Sequence, residues 1–430
     1  MDISLKGYQR IVPFLLPLAA LYLLWRARKQ PDYLKHWSER FATGEFPAKS
    51  SEKKRVWIHA VSVGETNATR PLVKAILATW PDCDILLTHM TPTGRDAGQK
   101  IVALAPDRIQ QCFLPYDARF AVRKFFRETA PDLGIIMETE VWPTLLSEAK
   151  SLGIPLVLAN ARLSEKSYRQ AMKFPRLMSG AMHQFDLVCA QAQSDKERLE
   201  AMTAQNVTVT GSVKFDIQAP KAALDLAANW KKSWPDPVVL LASTRDGEEA
   251  LFIEALKTKA QSHLRYLLVP RHPQRFKEVE ELLKNSGLSY VKRSDLNSPT
   301  DAGSAQVILG DSMGEMFFYC ALADVCLMGG SFKPFGCQNV IEPASVGVPV
   351  IVGPSTFNFS EVVKQGLAAG AVLQVQTAED ALDKAHEWLD DSEQFGQLKQ
   401  QALAFSRTYV GATARMMRAM EPLCEKFQIS

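Results

Sequence analysis

The chain has 430 residues, of which 47% are hydrophobic and 23% charged, and its formal net charge is +3. This composition excludes a disordered chain, and the length favours two domains over one core. The charge is too small to indicate nucleic acid as the main partner. Scattered cysteines without a C-x-x-C pair predict free thiols in a reducing compartment and argue against a disulfide or zinc framework.

An uncharged apolar run near the N-terminus extends from Ile11 to Trp25, with basic residues on both sides. It is shorter than the roughly 20 apolar residues of a spanning helix. The basic cluster after it opposes export and cleavage as a signal peptide. We therefore expect residues 1–29 to form a short membrane anchor with the body on the cytoplasmic side. The alternative is a buried helix of the first domain.

Short apolar runs alternate with amphipathic stretches from Val56 onward, which predicts parallel sheets covered by helices on both faces. The runs of the first series are VWIHAV, DILLTHM, QQCFLP, LGIIME, PLVLANA, DLVCAQ and VTVTGSV, and those of the second are VVLLAST, LRYLLVP, LSYVKR, AQVILGD, ADVCLMG and VPVIVG. A stretch that mixes a helical segment with prolines, residues 217–237, lies between the two series and is expected to be a linker. We predict an α/β protein with two Rossmann-like doubly wound domains, 30–216 and 238–430, facing a central ligand cleft. One final helix is expected around residues 387–426, and whether it packs back on the first domain stays open.

Polar side chains follow the apolar runs of the first half, where the carboxyl ends of parallel strands line a crevice. Glu65 follows the first run, and Glu138 and Glu140 follow the fourth. Glu65 alone also fits a carboxylate at a helix N-terminus, where the macrodipole favours negative charge. Two strand-end carboxylates flanking a threonine are rarely needed for packing. Arg162 and Lys214 follow later runs, and Lys214 could be no more than a solvated counter-ion.

The second half carries features typical of phosphate binding at its strand ends. Arg245 lies where a helix is expected to begin after the first run, and Arg271 and His272 follow the next run. The segment GDSMGEM places Ser312 and Gly314 at a strand-to-helix turn. The sequence has neither a Walker motif nor the dinucleotide glycine fingerprint.

A long glycine-bearing loop, GGSFKPFGCQNVIEP, enters another predicted helix. Asn339 and Glu342 in this loop fit the N-x-x-E spacing of a capping box, or they hydrogen-bond the ribose hydroxyls of a nucleotide. A D-x-D pair, Asp82 and Asp84, precedes the second apolar run, at the end of the strand away from the cleft. We expect a turn and a strand start at this pair, and no metal site.

These motifs, in order along nearly the whole chain, resemble the 3-deoxy-D-manno-octulosonic acid (Kdo) transferases of lipopolysaccharide synthesis. The segments that carry the resemblance are HAVSVGE, ETEVWP, NARLSEKSY, TGSVKFD, STRDGEE, PRHP, GDSMGE, GGSFKPFGCQNVIEP and GPSTFNFSE. The basic-flanked anchor and the following YLKHWSERF are similar to that family as well. One departure is Cys337, where the family is expected more often to have glycine.

The resemblance implies a GT-B fold with an N-terminal acceptor domain and a C-terminal CMP-Kdo domain. It implies inverting transfer of Kdo from CMP-Kdo to the lipid A precursor, lipid IVA, at the cytoplasmic face of the inner membrane, without a metal or other cofactor. By family motif, Glu65 is the general base, and Glu138 and Lys214 support the transition state. Glu140 and Arg162 are expected on the acceptor side. The expected CMP-Kdo contacts are Arg245, Arg271, His272, Ser312, Met313, Gly314, Asn339 and Glu342.

Chemistry supports this allocation. A sugar hydroxyl is a poor nucleophile, and a positioned carboxylate that accepts its proton helps by about 10² to 10⁴-fold. CMP leaves as a phosphate monoester, whose charge arginines and a helix N-terminus could neutralise without Mg²⁺. Basic residues near the anchor could attract anionic lipids and acceptor phosphates, or they only set a positive-inside topology. These residues are Arg26, Arg28, Lys29, Lys35 and Arg40.

Two other functions are compatible with parts of the sequence. Another GT-B transferase or epimerase would use a UDP-sugar and leave CMP-Kdo untouched. A membrane-tethered nucleotide-binding scaffold without catalysis would leave the strand-end carboxylates unexplained. A kinase is disfavoured, because the phosphate-loop lysine motif is missing from the sequence.

Overall fold

The structure is a computed structural model that describes residues 3–49, 53–216, 219–234 and 236–426, with Lys214 described by its backbone alone. Two compact units divide the chain: Met1–Asp216 with Gly411–Ser430, and Ile217–Val410. Each unit is built on one 7-stranded sheet. All strand pairs in both sheets are parallel. The prediction of two α/β domains with parallel sheets is confirmed.

The strands follow the predicted apolar runs closely. Those of the first unit are Lys54–His59 (β1), Cys83–His89 (β2), Ile109–Phe113 (β3), Leu133–Met137 (β4), Leu156–Ala161 (β5), Leu187–Ala190 (β6) and Val207–Val209 (β7). Those of the second unit are Val238–Thr244 (β8), Arg265–Pro270 (β9), Tyr290–Lys292 (β10), Val307–Leu309 (β11), Val325–Met328 (β12), Val350–Val352 (β13) and Val372–Gln374 (β14). The sheet orders are β3-β2-β1-β4-β5-β6-β7 and β10-β11-β9-β8-β12-β13-β14, in which the chain winds outward in both directions from a central strand.

Helices connect most of these strands. In chain order they are Leu5–Ala27 (α1), Trp37–Arg40 (α2), Val63–Thr79 (α3), Pro92–Val102 (α4), Arg119–Thr129 (α5), Pro143–Ser151 (α6), Glu165–Ala171 (α7), Pro175–Met182 (α8), Gln193–Ala201 (α9), Lys221–Ser233 (α10), Glu248–Lys259 (α11), Phe276–Ser286 (α12), Met316–Leu322 (α13), Ile341–Ser345 (α14), Ser360–Ala368 (α15), Ala378–Asp390 (α16), Ser392–Tyr409 (α17) and Ala412–Lys426 (α18).

Strand β1 shows why both faces of the first sheet are apolar. Successive side chains of a strand point to opposite faces. Trp57 therefore packs in a cluster on one face, while Val56 and Ile58 pack in a second cluster on the other face. All three side chains are fully buried. A parallel strand buried on both sides reads as a continuous apolar run, which is the pattern the sequence shows.

The domain boundaries differ from the predicted ones in the segment 217–237. This segment was expected to be a linker, but it belongs to the second unit. The reason is its helix α10, which packs on α13. Trp230 of α10 meets Phe318 of α13 edge-on, with ring centroids 5.2 Å apart, and Lys231 pairs with Asp324.

The single final helix expected over 387–426 is three helices. The Asp391 carboxylate caps α17, because it accepts hydrogen bonds from the next backbone N–H groups along the chain. Gly411, with φ of 92°, separates α17 from α18. Helix α18 joins the first unit, where it packs against α3. The predicted boundary 238–430 therefore ends too late for the second unit.

The N-terminal apolar run forms α1, which continues through Pro13 and Pro17. Its 23 residues make it long enough and apolar enough to cross a membrane. Large apolar side chains of α1 are exposed, among them Phe14 at 80% and Leu21 at 61%. A buried helix of the first domain is therefore not what the structure shows, and α1 could anchor the chain to a membrane.

All seven cysteines lie in the described part of the chain and are free, buried thiols, as expected. Cys337 has φ of 71°, a left-handed conformation that glycine adopts without steric cost. This backbone explains why glycine is the residue expected there.

Candidate active site

Three glutamates of the first unit follow two neighbouring strands. Strands β1 and β4 pair in parallel, with His59 opposite Ile136. Glu65 comes after β1, and Glu138 and Glu140 come after β4. The charges of Glu65 and Glu138 both act on the Glu140 carboxyl. The structure thus brings the predicted strand-end carboxylates together at one edge of the sheet.

Glu65 lies in the first turn of α3, and its carboxylate is held by the residues that precede the helix. One oxygen accepts a hydrogen bond from the Val61 backbone N–H (2.8 Å), and the other accepts one from the Ser62 hydroxyl (2.9 Å). The Ser62 oxygen accepts in turn from the Glu65 backbone N–H (3.3 Å). These hydrogen bonds fix the carboxylate at the helix N-terminus, where the macrodipole favours negative charge. The helix-end interpretation of Glu65 therefore describes its local contacts, and it is compatible with a role as a base.

Glu140 is the carboxyl whose proton affinity the site changes most clearly. The pKa of Glu140 is raised from 4.5 to about 7. Burial is the main cause, followed by the negative charges of Glu65 and Glu138. A hydrogen bond from the Trp142 ring N–H (3.0 Å) opposes part of this rise. The pKa of Glu140 therefore lies near neutral pH, so this carboxyl can take up or release a proton there.

The backbone at the two strand ends adopts a conformation that is uncommon for residues other than glycine. Glu138 has φ of 59° directly after β4, and Asn160 has φ of 54° within β5. The Glu138 N–H donates to the Ala159 carbonyl (2.9 Å), which fixes the turn against the neighbouring strand. Such left-handed residues cost about 1–3 kcal/mol each and often occur at functional sites.

Lys214 lies in a 3₁₀ turn, Val213–Phe215, and its side chain is outside what the structure describes. The position of its ammonium group relative to the glutamates therefore stays a prediction. The turn itself is held by Asn160, whose side-chain oxygen accepts a hydrogen bond from the Val213 N–H (3.1 Å). Arg162 follows β5 and is exposed.

Helix α18 supports the same loop from the C-terminal end of the chain. The Asp216 carboxylate accepts hydrogen bonds from the N–H groups of Gly411 and Thr413, both at 2.6 Å. Arg415 donates to the Thr210 carbonyl (2.8 Å). These contacts join segments about 200 residues apart, and local sequence patterns could not have revealed them.

Positive charge collects at the strand ends of the second unit. Partial burial lowers the pKa of His272, and the charges of Arg245, Arg271 and Arg275 lower it further. These guanidinium groups therefore lie near the imidazole. The Arg245 guanidinium stacks over the Phe335 ring at 4.7 Å. The structure thus brings together the predicted residues Arg245, Arg271 and His272.

Asn339 and Glu342 do not form a capping box. Helix α14 begins at Ile341, and its N-cap residue is Val340. The Asn339 side-chain oxygen accepts from the Ile341 N–H (3.1 Å). Burial raises the pKa of Glu342, against a hydrogen bond from Asn339 and the charge of Arg271. These two residues therefore belong to the same cluster as Arg271.

The segment Ser312–Gly314 lies after β11, as predicted. The Ser312 hydroxyl contacts the Glu315 carboxylate and lies 2.5 Å from the Tyr319 hydroxyl. Met313 is 63% exposed, and Gly314 has φ of 84°. The exposed methionine is available to a ligand, while the serine is held within the fold.

Glu248 organises the second-unit site but was not predicted. Its fully buried carboxylate accepts hydrogen bonds from the backbone N–H groups of Arg245 (2.8 Å), Gly330 (2.7 Å) and Phe332 (2.9 Å). Burial raises the pKa of Glu248, and these hydrogen bonds oppose the rise. The carboxylate thus ties the glycine-bearing loop to the start of α11.

No group of three or more side chains suited to holding a metal ion occurs among the described residues. Of the D-x-D pair, Asp84 lies in β2, which starts at Cys83, and it faces Lys53 at 3.5 Å. The expected strand start at this pair is confirmed.

Comparison with known proteins gives matches along most of the chain. The family model described as 3-Deoxy-D-manno-octulosonic-acid transferase (kdotransferase) matches residues 35–217. The 3-deoxy-D-manno-octulosonic acid transferase of Bordetella pertussis is 42% identical over 417 residues, 94% of this chain and 96% of that protein. The protein of the same name from Haemophilus influenzae is 32% identical over 422 residues, 95% of this chain and 96% of that protein.

Solved structures show a related fold. A UDP-N-acetylglucosamine 2-epimerase has a TM-score of 0.55 at 16% identity, over 88% of this chain and 98% of that one. This likeness concerns the fold alone, and it confirms the expected GT-B type. The C-terminal CMP-Kdo binding domain of WaaA from Acinetobacter baumannii is 38% identical over 43% of this chain and 98% of that one, with a TM-score of 0.41.

Proposed function

Because the chain belongs to the Kdo transferase family of glycosyltransferases, we propose that it transfers Kdo from CMP-Kdo to lipid IVA by an inverting, metal-independent single displacement. The observation that carries this proposal is the group of three glutamates at the ends of β1 and β4, of which Glu65 is held by two hydrogen bonds and Glu140 has a raised pKa. In this reaction the acceptor hydroxyl attacks the anomeric carbon of Kdo as the bond from that carbon to the CMP phosphate breaks. CMP leaves with the bonding electron pair.

Glu65 is the proposed general base. Its carboxylate is fixed by Val61 and Ser62, so it can meet an incoming hydroxyl without first reorganising. It takes the hydroxyl proton as the new carbon–oxygen bond forms. Glu140 is the proposed acceptor-side partner, because a carboxyl with a pKa of about 7 can hydrogen-bond a sugar hydroxyl as donor or acceptor. Glu138 and Lys214 are proposed to support the transition state.

The second unit is proposed to hold CMP-Kdo. The guanidinium groups of Arg245 and Arg271 offer charge-assisted hydrogen bonds to the single phosphate. A neutral His272, whose pKa is lowered, adds a donor without excess charge. Asn339 and Glu342 are proposed to contact the ribose hydroxyls. The Ser312–Gly314 segment completes the proposed donor site. Arg162, in the first unit, is proposed to lie on the acceptor side.

The place of action is proposed to be the cytoplasmic face of the inner membrane. Helix α1 exposes apolar side chains along its length. Arg26, Arg28 and Lys29 follow its apolar run, and cationic residues next to a membrane segment favour the cytoplasmic side. A lipid acceptor gives such an anchor a purpose.

The test of the base is the pair of variants Glu65→Gln and Ser62→Ala, assayed with CMP-Kdo and lipid IVA. Glutamine keeps one oxygen for the Val61 N–H, and its NH2 group can donate to the Ser62 oxygen, but it cannot take a proton. We expect its transfer rate to fall by about 10² to 10⁴-fold, with CMP-Kdo binding retained.

Ser62→Ala is the matched control, because it weakens the helix cap by about 1 kcal/mol while the carboxylate remains. We expect it to lower the melting temperature and to cost far less transfer than Glu65→Gln. A glutamine variant that transfers Kdo near the wild-type rate would contradict the base assignment. Equal losses in the two variants would show that Glu65 acts only through the cap.

A further inference from the structure

A cavity of about 570 Å³ lies within the first unit, between α1 and the body of that unit. Its wall on the α1 side is mainly apolar and includes Leu15, Leu18 and Ala19. Arg40 and Tyr116 line it from the body. A cavity of this size holds a small-molecule ligand or part of a larger one.

The Arg40 guanidinium is buried with donors to spare. The residue is only 1% exposed. One nitrogen, Nη1, donates to the Met90 carbonyl (2.9 Å), and the guanidinium stacks on the Phe113 ring at 3.7 Å. Within the described part of the chain, Nε and Nη2 have no hydrogen-bond partner. A buried charged group with unmet donors is costly unless something else satisfies it.

The neighbouring polar groups do not meet this need. The Glu39 carboxylate, next in the chain, is engaged by the Arg95 guanidinium and by the Phe113 backbone N–H, at 2.5 and 2.6 Å. Burial raises the pKa of Tyr116, and the charge of the Arg40 guanidinium and a hydrogen bond from it oppose the rise. This contact does not reach good hydrogen-bond geometry at Nε or Nη2 of Arg40. Burial lowers the pKa of Arg40, although a guanidinium stays protonated in proteins.

A second cation faces the same space. Arg26, at the end of α1, lines the cavity and donates to the Tyr33 hydroxyl (2.8 Å). The cavity therefore combines two guanidinium groups on its polar side with a leucine-lined wall. This combination matches a ligand that is anionic at one end and apolar at the other.

We propose that this cavity binds one anionic phospholipid, with the lipid phosphate near the guanidinium groups of Arg40 and Arg26 and an acyl chain along Leu15 and Leu18. The source is the bilayer itself, because the helix that forms the cavity wall is long and apolar enough to cross a membrane. A free phosphate would leave the leucine wall unfilled. A cavity of about 570 Å³ holds a phospholipid headgroup and part of one acyl chain, and the rest of the lipid stays in the bilayer. The proposal does not depend on the transfer reaction.

The test uses the full-length protein in a neutral detergent with stoichiometric dimyristoyl-phosphatidylglycerol, and native mass spectrometry counts the bound lipid. We expect one tightly bound phosphatidylglycerol and weaker binding of the matching phosphatidylcholine. Arg40→Gln should weaken phosphatidylglycerol binding by about 10- to 100-fold, as expected for lost charge-assisted hydrogen bonds. Arg127→Gln, which removes an exposed charge of the first unit that does not line the cavity, should leave it unchanged.

A second variant tests the cavity independently, in case Arg40→Gln disturbs the fold. Ala19→Trp fills the cavity from the α1 side and leaves Arg40 in place, so it should abolish the bound lipid with no loss of melting temperature. Equal binding of both lipids, or binding that survives both variants, would overturn the proposal. So would a site that takes up inorganic phosphate or the glycolipid acceptor in preference to phosphatidylglycerol.

Discussion

Replacing Glu140 by glutamine is expected to stabilise the first unit in a pH-dependent way. The pKa of Glu140 is raised from 4.5 to about 7 in the folded protein. A carboxyl with a raised pKa binds its proton more tightly when folded, so the folded state loses stability as pH rises from 4.5 to about 7. Because one pKa unit corresponds to 1.36 kcal/mol, ionised Glu140 costs the folded state about 3 kcal/mol above that range.

Glutamine removes this cost and keeps an oxygen to accept the Trp142 hydrogen bond. The free energy of unfolding should therefore rise by about 3 kcal/mol at pH 8 and by under about 1 kcal/mol at pH 5. For a unit of this size, the larger figure corresponds to a rise of about 6–12 °C in melting temperature. Calorimetry of the full chain at the two pH values measures it. Glu197→Gln, an exposed glutamate of the same unit, is the charge-matched control and should show no pH-dependent gain.

A gain from Glu140→Gln that is the same at pH 5 and pH 8 would refute the assignment of the raised pKa to Glu140. A loss of stability at pH 8 would refute the reasoning that ionised Glu140 destabilises the folded state. Transfer activity should fall in the same variant while stability rises, because the acceptor loses a titratable partner. A fall in activity together with a rise in stability would distinguish a functional carboxyl from one that only packs in the fold.

Three further results are expected. Glu248→Ala leaves three backbone N–H groups without their acceptor and should lower the stability of the second unit by at least about 3 kcal/mol, measured by calorimetry; an unchanged melting temperature would contradict the role given to this carboxylate. Asp216→Ala removes the acceptor at the start of α18 and should lower the free energy of unfolding by about 1 kcal/mol, whereas Asp216→Asn keeps one acceptor oxygen and should lower it less. Deletion of residues 1–29 should move the protein from the membrane to the soluble fraction; a truncated chain that sediments with membranes would place the tether elsewhere.

The sheets were predictable because parallel strands are buried on both faces and so read as apolar runs. Strand β14 was missed, since it has three residues and includes the exposed Gln374. The end of the chain was misread because helical periodicity continues past the cap at Asp391 and the turn at Gly411. Such breaks depend on one residue each, and the surrounding pattern hides them.

The strand-end carboxylates and the arginine cluster were found because topology alone brings strand ends together. The residues that hold them in place were not. The local sequence indicates only that Glu248 is an acidic residue in the first turn of a helix. The Gly330 N–H that it binds is 82 residues away in the chain. Asn160 lies inside an apolar run and binds Val213, 53 residues further on. Contacts of this range leave no local signal in one sequence.

The measurement that tests the central claim most directly is mass spectrometry of the lipid formed when the wild-type protein receives CMP-Kdo and lipid IVA in EDTA. We predict a product heavier than lipid IVA by a whole number of Kdo residues, with one CMP released for each. Unchanged lipid IVA would contradict the proposed function, and turnover of a UDP-sugar by the same preparation would replace it.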